Sequence, residues 1–285
     1  MKQPSAARPT TSKTIVFSHA NGFGAGCYRV LFEAWRAAGW QVFALPQFGH
    51  DPAFPVTSNW PHLRDQLIQF IEQEVQPQMA EPGPVMLMGH SLGGMLSLLV
   101  ACRRPDLAQG LLMLDSPVVT GWRAHSVQVA KATRLMHRVS PGKISRQRRH
   151  EWPSRQAVLE HFAAKSKFAR WDPRVLQDYV DTGFEEHGGK THLKFRREIE
   201  TRIYNTLPHH LGRLLQKHPP KCPVGFVAGK RSEELRQAGA TASKHLAGRH
   251  FHWVEGAHLF PFEQPEATAE LALKILAEMQ SQDRP

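Results

Sequence analysis

Short apolar runs alternate with amphipathic helical patterns in two parts of the chain, residues 14–115 and 222–285. Runs of β-forming residues predict strands at 15–18, 41–45, 85–88, 111–114, 224–228 and 251–254. Apolar positions at helical spacing predict helices between them, at 28–38, 61–75, 92–103 and 265–279. Because strands that alternate with helices form parallel sheets covered on both faces, the pattern predicts an α/β domain.

The residues between these two parts, 116–221, lack this alternation. They contain helical stretches separated by proline and glycine, together with many aromatic residues. We interpret this inserted segment, residues 116–221, as a helical cap or lid on a core domain formed by residues 14–115 and 222–285. Residues 1–13 are predicted to be a flexible N-terminus.

The positive charge of the chain is concentrated in the inserted segment. The formal charge is +11 over 285 residues, and residues 116–221 hold 21 lysine and arginine residues against 9 acidic ones. Such density suggests an anionic partner, which could be a charged substrate or, weakly, an acidic membrane surface met by the cap. Since the sequence contains no nucleic-acid-binding motif, we expect no nucleic-acid partner.

Several protein classes are excluded by what the sequence lacks. No apolar run approaches the roughly 20 residues needed to span a bilayer, and the N-terminus lacks the apolar region of a signal peptide. The three cysteines, Cys27, Cys102 and Cys222, are too few and too widely spaced for a disulfide framework or a C-x-x-C site. We therefore expect reduced thiols and a cytoplasmic protein.

The strongest chemical signal is Gly89-His90-Ser91-Leu92-Gly93, a G-x-S-x-G motif. It follows a predicted strand and opens a predicted helix, which is the context that a nucleophile elbow requires. The glycines allow a sharp turn that holds the serine hydroxyl above the sheet. The N-terminus of the helix offers free N–H groups and a field that favours an oxyanion. Ser91 is the predicted nucleophile.

A serine hydroxyl needs a base, and an oxyanion needs two N–H donors. Among 17 histidines, His258 lies between the last predicted strand and the terminal helix, where it reaches the carboxyl edge of the sheet. One oxyanion donor is predicted to be the amide of Leu92, next to the nucleophile. The second is expected in the loop after the first strand, from Asn21 or alternatively from Gly22. His19 in that loop is expected to be structural.

With these motifs, the chain resembles serine hydrolases of the α/β-hydrolase fold that carry a lid inserted after the sixth strand of that fold. The resemblance is carried by His-Ala-Asn-Gly-Phe at 19–23, the motif at 89–94, Phe-Gly-His-Asp at 48–51 and the sequence from 256 to 265. It implies a mostly parallel sheet of about six strands flanked by helices, with an inserted helical cap. The β-hairpin that usually opens this fold is absent or reduced.

The resemblance also implies a carboxylate partner for His258, and two candidates are open. The family usually places this acid in the loop after the penultimate strand, where Glu233 stands in Gly229-Lys-Arg-Ser-Glu233. Some families take the acid from the end of the preceding strand, which is the position of Asp115. Both keep the chain order serine, acid, histidine. Glu233 is the preferred candidate and Asp115 the alternative.

The expected function is hydrolysis of a carboxylic ester or thioester of a small acyl substrate, through an acyl-enzyme on Ser91. Amide or carbon–carbon bond hydrolysis is the alternative within the same fold. A serine nucleophile argues against the dehalogenases and epoxide hydrolases of this fold, which use aspartate. A non-catalytic ligand-binding protein on the same scaffold is the alternative of another class. The reaction requires no metal or organic cofactor, so none is expected.

Overall fold

The computed structural model describes residues 13–120 and 142–281 of the chain. Of the predicted flexible N-terminus, residues 1–13, only Lys13 falls within these ranges. The part of the inserted segment at residues 121–141 also lies outside them.

Six strands form the main sheet, and each lies where the apolar runs predicted it. They are β1 Thr14–Ser18, β2 Gln41–Ala44, β3 Val85–His90, β4 Ala108–Leu114, β8 Val224–Gly229 and β9 Phe251–Val254. Their order is β2-β1-β3-β4-β8-β9, and every neighbouring pair is parallel. The predicted parallel sheet is therefore confirmed.

The central strands are apolar at consecutive positions because both faces of the sheet are buried. In β1, Ile15 and Phe17 join the hydrophobic core on one face, whereas Val16 joins the core on the other. In β4, Leu112 and Leu114 likewise face away from Leu111 and Met113.

Helices cover both faces of this sheet. Helices α1 Arg29–Ala37 and α12 Pro265–Ser281 contribute to one core. Helices α2 Pro61–Phe70, α3 Leu92–Arg103 and α10 Thr241–Ala247 contribute to the other. The short helices α9 Glu233–Ala238 and α11 Phe260–Glu263 follow β8 and β9.

The inserted segment contains strands as well as helices, which corrects the expectation of a helical cap. Its helices are α4 Gly142–Gln147, α5 Arg155–Ala163, α6 Pro173–Thr182, α7 Arg197–Asn205 and α8 Leu211–Lys217. Its strands, β5 Glu151–Trp152, β6 Phe184–His187 and β7 Lys190–Leu193, form an antiparallel sheet in the order β5-β7-β6.

The hairpin between β6 and β7 turns at Gly188 and Gly189, whose φ angles of 59° and 74° favour glycine. Trp152, Phe162 and Tyr179 of the inserted segment belong to the same core cluster as α1 and α12, whereas its Phe195 and Ile203 belong to the other cluster. The described part of the segment therefore packs directly on the α/β domain.

All five segments that carry the candidate site residues follow strands of the main sheet. They are the loop 19–24 after β1, the turn at Ser91 after β3, Asp115 after β4, residues 230–233 after β8 and the loop 255–259 after β9. Since parallel strands present their carboxyl ends at one edge, this topology gathers the candidates at a single place.

Candidate active site

Ser91 occupies a strained turn between β3 and α3. Its backbone angles, φ 55° and ψ −115°, lie outside the regions that side-chain-bearing residues favour, at a cost of about 1–3 kcal/mol. A Cβ atom added at Gly89 would lie 2.3 Å from the carbonyl carbon of Gly93, and one at Gly93 would lie 1.9 Å from the Ser18 oxygen. Glycine at both positions is therefore what permits the turn.

The loop after β9 brings His258 to this serine. His258 Nε2 lies 2.9 Å from Ser91 Oγ, and His258 Nδ1 lies 2.7 Å from Asp115 Oδ2. A carboxylate only accepts, so Nδ1 carries the ring proton and the Ser91 hydroxyl donates to Nε2. Ser91, His258 and Asp115 thus form one continuous chain of hydrogen bonds, in the order that nucleophilic catalysis by serine requires.

Asp115 is fully buried, and its carboxylate is held by two further donors. The Gly229 amide donates to Oδ1 at 2.9 Å, and the Ser232 hydroxyl donates to Oδ2. The residue follows the end of β4 with a φ of 41°. These contacts fix the carboxylate against His258 and satisfy a charge that would otherwise be costly to bury.

The structure does not bring Glu233, the preferred acid of the sequence analysis, to His258. Its side chain is 72% exposed and pairs with Arg236 at 3.4 Å. The reason is local: Ser232 caps α9, accepts the Leu235 amide and donates to Asp115, so the helix begins at Glu233 and turns that side chain to solvent. The alternative candidate, Asp115, holds the position instead.

A neighbouring carboxylate that the sequence analysis did not consider also approaches the imidazole. Glu234 Oε2 lies 3.8 Å from His258 Nδ1, and its side chain is 45% exposed. The distance exceeds that of a hydrogen bond, so Asp115 is the carboxylate that is bonded to the ring.

The residues expected to supply the oxyanion donors lie in the turn after β3 and in the loop after β1. Leu92 is the first residue of α3, so its amide has no acceptor within the helix. Asn21 and Gly22 occupy the centre of a turn closed by the Phe23 amide and the Ala20 oxygen at 3.2 Å, with φ 84° at Gly22. Within residues 13–120 and 142–281, the Asn21 and Gly22 amides donate to no protein acceptor.

His19 has a structural role in this loop, as expected from the sequence, because its ring makes two backbone hydrogen bonds. Its Nδ1 donates to the Ala20 oxygen at 2.8 Å, and its Nε2 accepts the Phe48 amide at 3.0 Å. Burial lowers the pKa of His19 from 6.5 to about 4, so the ring is neutral. His50 makes a comparable link, accepting the Arg196 amide of the inserted segment at 3.0 Å.

The inserted segment places a buried ion pair beside the same loop. Arg148 Nη1 donates to Glu200 Oε2 at 2.9 Å, and Nη2 donates to the Tyr179 hydroxyl. Glu200 Oε1 would lie 3.0 Å from a Cβ atom at Gly22, and the Asn21 side-chain amide donates to the Glu200 carbonyl at 3.1 Å. The charge of Arg148 is therefore balanced by Glu200, and most of its side chain is shielded from solvent.

Aromatic side chains from three places meet next to the oxyanion loop. Phe23 contacts Trp171 and Tyr179 of the inserted segment, and Phe262 of α11, with ring centroids 5.3–5.5 Å apart. The oxyanion loop is consequently packed against a buried aromatic cluster.

The described ranges contain neither a metal-binding cluster nor a membrane-spanning helix. No group of histidine, cysteine, aspartate and glutamate in residues 13–120 and 142–281 has the arrangement needed to hold a metal ion. No helix in these ranges combines the length and apolar character needed to cross a bilayer.

Comparison with known sequences gives one family and several relatives. A model described as alpha/beta hydrolase family matches residues 15–271. A monoglyceride lipase homolog of Monkeypox virus is 28% identical over 200 residues, which are 67% of each chain. The sn-1-specific diacylglycerol lipase ABHD11 of Mus musculus is 26% identical over 209 residues, which are 68% of this chain and 62% of the lipase. Monoglyceride lipase of Rattus norvegicus is 30% identical over 135 residues, 44% of its length.

Comparison with solved structures supports the fold. E-2-(acetamidomethylene)succinate hydrolase matches with a TM-score of 0.68 at 17% identity, covering 94% of this chain and 93% of the other. The peroxisomal alpha-beta-hydrolase Lpx1 of Saccharomyces cerevisiae matches with a TM-score of 0.68 at 17% identity, covering 97% of this chain and 80% of the other. At this identity, the likeness concerns architecture.

Proposed function

Because the chain belongs to the alpha/beta hydrolase family, we propose that it is a serine hydrolase that cleaves a carboxylic ester or thioester through an acyl-enzyme on Ser91. The observation that carries the proposal is the continuous hydrogen-bond chain from Ser91 through His258 to Asp115. Its distances of 2.9 and 2.7 Å are those of a serine that can pass its proton to a base already oriented by a carboxylate.

The first half of the reaction forms the acyl-enzyme. Ser91 Oγ bonds to the acyl carbon while its proton moves to His258 Nε2. The carbonyl oxygen becomes an oxyanion, which the Asn21 and Leu92 amides stabilise by hydrogen bonds. When the tetrahedral intermediate collapses, the bond to the leaving group breaks and His258 returns the proton to that group.

The second half releases the acid. Water enters, His258 Nε2 takes one of its protons, and the resulting hydroxide oxygen bonds to the acyl carbon. The same two amides hold the second oxyanion. The bond to Ser91 Oγ then breaks, and the proton on His258 returns to the serine. Throughout, Asp115 keeps Nδ1 protonated and stabilises the imidazolium by its buried negative charge.

For the substrate, we propose a small neutral ester with an apolar acyl chain, of the glycerol-ester class. Support comes from the relatives, which are a monoglyceride lipase homolog, monoglyceride lipases and a diacylglycerol lipase. Phe23 of the oxyanion loop is partly exposed and offers an apolar side chain to an acyl chain. The chain covers 62–67% of two of these relatives and 44% of a third, so their activities come to it as a proposal.

Three further expectations concern catalysis, membrane contact and cellular location. The contacts of Ser91 and His258 favour an enzyme over a non-catalytic binding protein. Weak contact of the basic inserted segment with an acidic membrane surface remains a prediction. A cytoplasmic location also remains one, resting on three cysteines that are all unpaired.

The test uses a serine-reactive fluorophosphonate and a panel of p-nitrophenyl esters, monoacylglycerols and acyl-CoA thioesters of graded chain length. We expect labelling and hydrolysis in the wild type, and neither in Ser91→Ala, with a loss of about 10⁴-fold or more. The matched control is Ser97→Ala, which removes a buried serine hydroxyl further along α3. Labelling that survives in Ser91→Ala overturns the assignment.

A further inference from the structure

His90 is the last residue of β3 and directly precedes Ser91, and it is buried completely. The mechanism above does not use it. Its ring nevertheless makes two hydrogen bonds to parts of the chain that are distant in sequence. Nδ1 lies 2.8 Å from the Tyr28 hydroxyl, and Nε2 lies 2.9 Å from the backbone oxygen of His258.

The chemistry of the partners fixes the protons of this ring. A backbone carbonyl can only accept, so Nε2 of His90 must carry a proton and donate it to the His258 oxygen. In a neutral ring Nδ1 is then an acceptor, and the Tyr28 hydroxyl donates to it. The Tyr28 oxygen in turn accepts the Ala20 amide at 3.1 Å. In a neutral ring each donor of this hydrogen-bond chain therefore has one acceptor, and all the bonds run in one direction, from the Ala20 amide to the His258 oxygen.

This Tyr28–His90 relay, defined by these two side chains, joins three segments of the site. Ala20 directly precedes Asn21 in the oxyanion loop, His90 directly precedes the nucleophile, and the His258 oxygen belongs to the base itself. Because Ala20 directs its amide to Tyr28, that amide is removed from the site. The following amides, at Asn21 and Gly22, are left for the oxyanion.

We propose that Tyr28 and His90 are positioning residues, which hold the oxyanion loop and the His258 loop at a fixed distance from Ser91. The inference rests on the proposed function and goes beyond it, since neither side chain touches the reacting atoms. A misplacement of about 1 Å in such a site can cost about 100-fold in rate.

The surroundings of the relay suit a neutral, rigid link. Phe17 and Phe262 pack on Tyr28 with ring centroids 4.6 and 4.8 Å away, which keeps water out. Burial holds the pKa of His90 well below its usual value. Its ring centroid is 5.2 Å from that of His258, so a charged His90 would oppose the imidazolium that forms on His258 during catalysis.

The first test replaces each member of the relay and measures kcat, KM and the affinity of a trifluoromethyl ketone, which forms an oxyanion adduct on the serine. For Tyr28→Phe we expect kcat to fall about 10- to 100-fold with KM nearly unchanged. The affinity of the ketone should weaken by a similar factor. His90→Leu should lose at least as much, and the double variant no more than His90→Leu, because both changes break one linkage.

Ser243→Ala is the matched control, because the Ser243 hydroxyl also accepts a buried backbone amide, that of Val118 at 3.1 Å, but does so away from the relay. It should lower thermal stability as Tyr28→Phe does and keep kcat and ketone affinity within about twofold of the wild type. If Tyr28→Phe behaves like this control, the relay is merely structural and the proposal is overturned.

The second test needs no variant of the relay to fold. A long-range ¹H–¹⁵N NMR spectrum of the wild type should show His90 as the neutral Nε2–H tautomer from about pH 5 to about pH 8. An ordinary histidine changes its charge within this range. An Nδ1–H tautomer or a charged ring would overturn the relay. If the wild type hydrolyses no ester, the proposed function fails separately, and this spectrum still decides whether the relay exists.

Discussion

The edge of the main sheet and the inserted segment organise the same site by different means. At the sheet edge, Ser91, Asp115 and His258 are fixed by hydrogen bonds among side chains and to backbone groups of neighbouring strands. In the inserted segment, aromatic packing and the ion pair of Arg148 with Glu200 cover the oxyanion loop. The sheet edge is thus held by directional hydrogen bonds, whereas the inserted segment is held mainly by packing and one ion pair.

The largest effect should come from the acid at the sheet edge. For Asp115→Asn we expect kcat to fall about 10³- to 10⁴-fold, because the amide favours the wrong tautomer of His258. Glu233→Gln is the control, since it removes an exposed carboxylate at the start of α9 and should leave kcat within about twofold. Steady-state kinetics on one p-nitrophenyl ester compare the two. A large loss in Glu233→Gln with a small one in Asp115→Asn would restore the assignment that the geometry corrects.

The difficulty of choosing between these two acids from sequence has a physical origin. Both Asp115 and Glu233 follow strands, β4 and β8, that are neighbours in the sheet, so both positions reach the same edge. What separates them is that Ser232 caps α9 and bonds to Asp115, a tertiary contact with no sequence pattern. Ser91 and His258 were easier to predict from sequence, because the nucleophile-elbow motif and a position after the last strand are local signals.

The inserted segment was predicted less well than the sheet. Its helical stretches were recognised, but its small antiparallel sheet was not. A signal was present, since Gly188-Gly189 between two extended stretches is typical of a tight hairpin. Its high positive charge led to the prediction of an anionic partner. In the structure, however, Arg148 pairs with Glu200, and the guanidinium carbon of Arg149 lies 5.3 Å from the ring centroid of Trp152.

The next effect tests the ion pair of the inserted segment. Arg148→Met leaves Glu200 as an unpaired carboxylate with 9% of its side chain exposed, so we expect a loss of about 3 kcal/mol in the free energy of unfolding. Arg149→Met, which removes the exposed neighbouring charge, should cost well under 1 kcal/mol. Urea denaturation of both variants gives the comparison. Equal small losses would mean that the pair does not hold the segment on the oxyanion loop.

Acid should lower the free energy of unfolding, because His19 is held neutral in the folded protein. Its pKa is lowered to about 4 in the folded protein, against 6.5 for an ordinary histidine, so the unfolded chain binds more protons between these values. Stability therefore falls as the pH drops through this window, by about 2 kcal/mol from pH 7 to pH 5 for this one group. Urea denaturation at both pH values measures the loss. His19→Gln should reduce the difference by that amount, and an unchanged difference would show that His19 is not held neutral.

The smallest effect concerns the charge of the inserted segment. We expect kcat/KM for an anionic ester to fall a few-fold between about 0.05 and 0.5 M salt, while a neutral ester of equal length changes little. Arg146 and Arg202 line a surface cavity of about 370 Å³ in this segment, and replacing both with glutamine should flatten the response. If both esters respond alike to salt, the positive charge is only solvated surface.

The central claim, an acyl-enzyme on Ser91, is tested most directly by trapping it. The wild type is mixed with a slowly deacylating p-nitrophenyl ester, quenched in acid within the first turnovers, digested and examined by mass spectrometry. The account predicts an acyl mass on the peptide that contains Ser91, which is lost in Ser91→Ala and accumulates when deacylation is slow. Hydrolysis at the same rate with no acyl adduct on that peptide, or with the adduct on another residue, would contradict it.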